Sequence, residues 1–295
     1  MPERDSAEFR PARESSVWIL AIVVILILAA AFAWWRWSLQ KGAPAEPPVA
    51  TAPQPQGAPA DVPAPPPEPL GPQNPVDALA QPDANLPPLN DADARVNAAL
   101  NELLGKKSVA SFLQTDGFVR RVVATVDNLP RAQATSRVWP TNPTPDRFTV
   151  QGSGEARTIS PDNGNRYTPF VLFAESVDTA RAVALYAKLY PLFQQAYEEL
   201  GYPGRYFNDR LVAVIDHLLQ TPVPTGQVQV KLTEVKGEMQ SERPWVRYEF
   251  VDPGLESLSA GQKMMIRMGP VNERRMKAKL TEFRGQIATG AITKK

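Results

Sequence analysis

Three regimes of apolar patterning follow one another along the chain. The first is continuous. From Val17 to Trp35 nineteen residues read VWILAIVVILILAAAFAWW without a charge. A helix of that length rises about 28 Å, close to the hydrocarbon thickness of a bilayer. Trp18 stands at one end and Trp34, Trp35 and Trp37 at the other, where interfacial aromatics belong. The second regime, residues 42–90, has no apolar period. It holds 16 of the 31 prolines, and proline removes a donor and fixes φ. The third regime is periodic and begins at Asp91.

Within the third regime, helical spacing dominates. Val96, Leu100, Leu103 and Leu104 share a face and stop at Gly105. Phe118, Val119, Val122, Val126 and Leu129 form a second stripe, started by Thr115 or Asp116 and ended by Pro130. Ser160-Pro161 has the form of an N-cap followed by proline at the first helical position. Tyr186, Leu189, Tyr190, Phe193, Tyr197 and Leu200 predict one face of a long helix ending at Gly201, with a kink at Pro191. Asn208 is expected to cap a helix whose stripe is Leu211, Val212, Ile215, Leu218 and Leu219. Ser259 and Gln262 make a capping box. Gly269-Pro270 ends that helix and opens the last one, with Met276, Leu280, Phe283 and Ile287 inward. Alternation at residues 228–232 and 245–250 predicts a hairpin turning near Gly237, and residues 148–150 a short third strand.

The fold expected is therefore an N-terminal transmembrane helix plus a mainly α-helical α+β globular domain with a small antiparallel β-hairpin. Its parts are a cytoplasmic tail (1–16), the span (17–37), a disordered proline-rich tether (38–90), the globular domain (91–290) and a tail (291–295). A cleaved signal peptide is the rival reading of the span, since Ala31-Phe32-Ala33 has a small-x-small shape. The long apolar run, the bulky Trp34 after the cut and a poorly basic preceding segment favour an uncleaved anchor. Arg4, Arg10 and Arg13 precede the span, while only Arg36 and Lys41 follow it before Arg95. That bias orients the N-terminus to the cytoplasm and the domain outward.

Composition removes whole classes of chemistry. With no cysteine there is no disulfide, zinc-thiolate site or thiol nucleophile, and one histidine, His217, rules out any site needing two imidazoles. His217 shares a face with Arg210, away from the apolar stripe, and reads as a solvated surface residue. Gly152-Ser153-Gly154 lacks the nucleophile-elbow frame, and no phosphate-cradling Gly-rich loop is present. Glu198-Glu199 and the Asp209/Asp216 pair are the carboxylates on offer, the latter seven residues apart on a face read as solvated. No catalytic, cofactor-binding or metal-ligating set is expected, nor a nucleic-acid partner.

Two surface features invite binding. The connection before the Asn208 cap holds Tyr202, Arg205 and Tyr206, more aromatic and charged surface than a turn needs. Phe207 beside them is expected to turn inward as a staple against Val212. The last helix gathers Arg274, Arg275, Lys277 and Lys279, a candidate docking face for an anionic surface.

The stretches FVRRVVATVDNLPR, LYPLFQQAYEELGYPGRYFNDRLVAVIDHLL and YEFVDPGLESLSAGQKMMIRMGP together resemble the proteobacterial family catalogued as domain of unknown function 3014. The resemblance spans nearly everything after the tether. It implies a Gram-negative source, fits an inner-membrane anchor, and carries no activity or site residues with it. The function expected is a membrane-tethered envelope protein whose periplasmic domain binds an envelope protein or peptidoglycan; the alternative is a carboxylate-based cell-wall hydrolase.

Overall fold

Glycine and proline punctuate the helices, and the apolar stripes fill the space between them. A computed structural model describes residues 71–233 and 247–291. The span at 17–37, the tether up to residue 70, the turn around Gly237, Trp245 and the tail from residue 292 lie outside the described residues. Among the described residues, no helix is long and apolar enough to cross a membrane.

The helices are α1 (Asp93–Leu104), α2 (Lys106–Phe112), α3 (Phe118–Asn128), α4 (Asn163–Ser176), α5 (Thr179–Glu199), α6 (Phe207–Leu219), α7 (Pro253–Glu256), α8 (Ala260–Arg267) and α9 (Pro270–Ile287). α1 ends at Gly105, whose φ of 82° is open to glycine at no steric cost. α5 is continuous through Pro191 and buries Tyr186, Leu189, Tyr190, Phe193 and Tyr197, whereas Leu200 at its C-cap is 43% exposed. α8 carries the Ser259/Gln262 capping box, and Gly269-Pro270 separates it from α9. α9 packs on α4, α5 and α6, and α3 packs on α5 and α6, so the main core lies around α5 and α6.

The strands are short: β1 (Val150–Gln151), β2 (Thr158–Ile159), β3 (Val230–Leu232) and β4 (Tyr248–Phe250). β3 pairs antiparallel with β4 in the register Val230↔Phe250, as the alternation anticipates. The third strand is not an addition to that hairpin. β1 pairs with β2 in a second antiparallel ladder, and a lone bridge from Thr158 to Gln229 joins the two. The domain is thus mainly helical, with two small antiparallel ladders.

The tether boundary at residue 90 needs correction. Val76 is fully buried and Leu89 nearly so, and Leu79 and Leu86 pack on the same core. Residues 73–91 form a strap across α5 and α6. Asp83 donates its N–H to the Lys188 carbonyl at 3.0 Å, and Val76 donates to the Tyr206 hydroxyl at 2.8 Å. The strap also meets the far end of the domain, where Thr289 Oγ1 donates to the Pro75 carbonyl. Four apolar residues spaced through prolines make no helical or strand period, which is why the pattern leaves this segment out.

Several helix starts shift as well. α6 begins at Phe207, with Tyr206 at the N-cap position, so Asn208 lies inside the helix and does not cap it. Phe207 is fully buried, inward as expected, but as the first helical residue rather than the staple position before the cap, and it stacks on Phe193 with ring centroids 6.0 Å apart. α4 begins after Asp162 rather than at Ser160, whose hydroxyl instead accepts the Asp162 N–H. Gly117, with φ 60°, precedes α3 in place of a Thr or Asp cap.

An apolar cavity between five helices

α1, α3, α4, α5 and α9 do not close completely on one another. Between them lies a cavity of about 380 Å³, open on one side. α1 contributes Val96, Leu100, Leu103 and Leu104; α3 contributes Phe118; α4 contributes Phe173 and Ala174. α5 lines it with Ala182, Leu185, Tyr186, Leu189 and Phe193, and α9 with Met276, Leu280 and Phe283. Phe112, Phe170 and Phe173 form a half-exposed aromatic group next to it, Phe112 stacked on Phe173 at 4.6 Å. α4 has few polar positions to separate these rings from water: Leu172 is 49% exposed.

Polar groups in the wall are few. The Tyr186 hydroxyl is turned away to donate to Asn208 Oδ1 at 3.1 Å, and burial pushes this phenol well above its ordinary pKa. Thr179 and Lys279 are the other polar side chains in the lining. Lys279 Nζ donates to the Val177 carbonyl at 2.6 Å and to Thr179 Oγ1 at 2.7 Å, and pairs with Glu282 at 3.1 Å.

The Tyr202 loop faces the chain itself. Tyr202 stacks on Tyr197 at 4.6 Å, donates its hydroxyl to Asp127 Oδ2 at 3.1 Å and accepts from Arg131. Tyr206 packs against Tyr190 at 5.2 Å and holds the strap through Val76. Arg205 alone of the three is exposed, although its carbonyl accepts from Gln194 Nε2. The structure therefore does not bring the three side chains together on one free surface.

On α9, Arg275 pairs with Glu175, Lys277 donates to the Thr221 carbonyl and pairs with Glu273 at 3.0 Å, and Lys279 ties down the α4–α5 junction. Arg274 is the exposed member of that set. The arrangement braces α9 against α4 and α6 more than it offers a field of free cations.

The carboxylates go to structural work too. Asp209 accepts the N–H groups of Gln73 and Asn74 at 2.9 and 2.7 Å, and Asp216 pairs with Arg284. Asp209 is not on a free solvated face as the spacing suggests, whereas Asp216 keeps a solvent-exposed side chain in its pair with Arg284. His217 Nε2 lies 2.9 Å from Ser259 Oγ, and its carbonyl accepts from Gln262 Nε2. The histidine is thus half-buried at the α8 cap, not solvated. Asp127, 2% exposed, takes Arg131 and Arg210 together with Tyr202, a buried ion cluster the sequence reading misses. Its one local sign is the Asp127/Arg131 spacing of four residues, bridging Pro130.

A second recess, of about 420 Å³, lies beside the start of α3 and is lined by Arg120, Arg121 and Arg137 with Asp116 and Glu199. Arg120 pairs with Glu199 at 2.9 Å, and Arg121 donates to the carbonyls of Asp116 and Arg137. Two of its three cations are already engaged. Among the described residues no cluster of side chains could hold a metal ion.

No curated protein and no solved structure matches the chain. A family match covers residues 118–284, which takes in the α3 stripe, the Tyr202 loop and most of the cavity wall. The chain belongs to the family described as Protein of unknown function (DUF3014).

Proposed function

We propose that this is a membrane-tethered envelope protein that acts by binding. Residues 17–37 anchor it in the inner membrane as a single pass, N-terminus in the cytoplasm. The proline-rich run up to the strap carries the domain into the periplasm. The binding site is the cavity walled by α1, α3, α4, α5 and α9.

The observation that supports this reading is the cavity itself. It is an apolar concavity, and no carboxylate lines it. Pockets of about 300–1,000 Å³ with largely apolar walls are the usual form of a small-molecule site. The hydrolase alternative needs two free acids facing across a cleft. Asp209 and Asp216 are each committed to a structural partner, and Glu199 is paired with Arg120. An apolar cavity also suits an aliphatic or aromatic group better than a sugar polymer, which shifts the expected partner away from the wall.

Two measurements test the proposal. A phosphatase reporter active only outside the cytoplasm, fused after Lys295, is expected to be active; a silent reporter alongside an active cytoplasmic one reverses the topology. A photoreactive benzophenone residue replacing Phe173 is expected to yield adducts in cells, and one replacing the exposed Lys107 is not. Equal yields from both positions remove the cavity as the site. Sustained release of soluble fragments from labelled wall by the purified full chain would replace binding with hydrolysis.

A further inference from the structure

We propose that the cavity takes a single aliphatic chain ending in an anionic head, with Lys279 receiving the head. This rests on the reading of the domain as a binding module and names its ligand class.

The interior chemistry selects the tail. Leucine, valine and phenylalanine side chains make most of the wall; of its two hydroxyls, that of Tyr186 donates to Asn208 and that of Thr179 accepts from Lys279. A sugar or nucleotide would bury polar groups with no partner there, which is strongly unfavourable. Taking a methylene at roughly the 30 Å³ that a water occupies, a volume of about 380 Å³ admits a chain on the order of twelve carbons. Met276 in the α9 wall is an adaptable side chain that can follow such a chain.

The head is selected by charge. Lys279 is the charged residue in the lining. Two of its three donors are fixed by the Val177 carbonyl and Thr179 Oγ1, which hold the ammonium in place. The third goes to Glu282, a 52% exposed carboxylate three residues along the same helix. Glu282 supplies the same atoms that a ligand carboxylate would bring, and an i,i+3 pair along one helix is weak enough to exchange. A cationic head would meet Lys279 as a like charge.

The test uses the full chain in phosphatidylcholine nanodiscs and a diazirine-bearing dodecanoic acid, with crosslinked peptides mapped after irradiation. Adducts are expected on peptides from α1, α5 and α9. Unlabelled dodecanoate should compete at least about tenfold better than dodecylamine or dodecanol. Ala182→Phe, which fills the cavity from the α5 wall, should abolish these adducts while labelling of residues 17–37 persists. Circular dichroism checks that variant's fold, and Ala174→Phe replaces it if it does not fold. Lys279→Met should keep the adducts and lose the preference for dodecanoate over dodecanol. Domain adducts that are absent, or equal in wild type and plugged variant, overturn the proposal, and equal competition by dodecylamine overturns the role of Lys279. An uncharged aromatic probe that binds wild type but not the plugged variant, with no dodecanoate adduct, overturns the ligand class and leaves the binding reading standing. A cavity that takes neither probe overturns both.

Discussion

Asp209 accepts the backbone N–H groups of Gln73 and Asn74 and the Asn74 side-chain amide, three donors on one carboxylate. Bonds to an ionised acceptor are about twice as strong as neutral ones. Asp209→Ala should therefore lower stability by about 1–3 kcal/mol. Amide exchange at Gln73, Asn74 and Val76 should accelerate while α1 is unaffected; unchanged exchange there would mean the strap is held by other contacts. Glu273 is a different case. It is fully buried, and its contact is the ion pair with Lys277 at 3.0 Å. Burial holds its carboxyl above the ordinary value. A folded pKa above the unfolded one means that stability is greatest below the unfolded value and falls as pH rises through the folded one. As pH rises from about 4, the melting temperature of wild type should fall relative to that of Glu273→Gln. Parallel curves would show that Glu273 is not the group responsible.

At the scale of elements, the approach of α8 to α3 depends on one glycine. Ala260 and Gly261 donate their N–H groups to the Arg131 and Leu129 carbonyls at 2.7 and 2.9 Å, closing the C-terminal end of α3. A Cβ at Gly261 would stand 2.7 Å from Leu218 Cδ2 and 3.0 Å from the Leu129 oxygen. Gly261→Ala should cost about 1–3 kcal/mol, the usual range for overpacking. Gly285 in α9 meets nothing within 4 Å, so Gly285→Ala should instead stabilise by roughly 0.5–1 kcal/mol through helix propensity. Thermal melts of the two variants should shift in opposite directions; a shift of the same sign would refute the close approach at Gly261. α6 likewise owes its position to both of its sides. Its apolar stripe faces the core, and its polar face carries Arg210 to Asp127 and His217 to the α8 cap. Val214, off the stripe, is accordingly buried.

For the whole molecule, the strap decides where the folded unit begins. A chain starting at residue 92 loses the burial of Val76 and Leu89, two residues worth about 1.5–3 kcal/mol each. Against a typical total of about 5–15 kcal/mol that is a large fraction. Chains starting at residues 71 and 92 should differ in melting temperature by roughly 10–20 °C. Equal melting points would return the strap to the tether. Gly290 sits at the same junction: its N–H donates to Asn74 Oδ1 at 3.2 Å, so the strap and the end of the domain are held together.

What the sequence determined by itself is local. Apolar spacing placed α1, α3, α5, α6 and α9 and most of their inward faces, the Ser259/Gln262 box marked the start of α8, and Gly269-Pro270 marked the break between α8 and α9. Period and turn chemistry act over four residues or fewer, so they can be read without knowing the neighbours. Tertiary structure alone decided the partners of the polar groups. Asn208 donates to the Asn74 carbonyl and to that of Ile287 at the end of α9 instead of capping its own helix, Tyr206 receives the strap, and Asp127 gathers Arg210 across the fold. These pairs lie tens to more than a hundred residues apart in the chain. A hydrophobic stripe reports which face of a helix turns inward. It carries no information on which polar groups meet at the edges, because that depends on how helices cross. The cavity arises in the same way: each wall reads as ordinary core, and only the packing of five helices leaves the space between them unfilled.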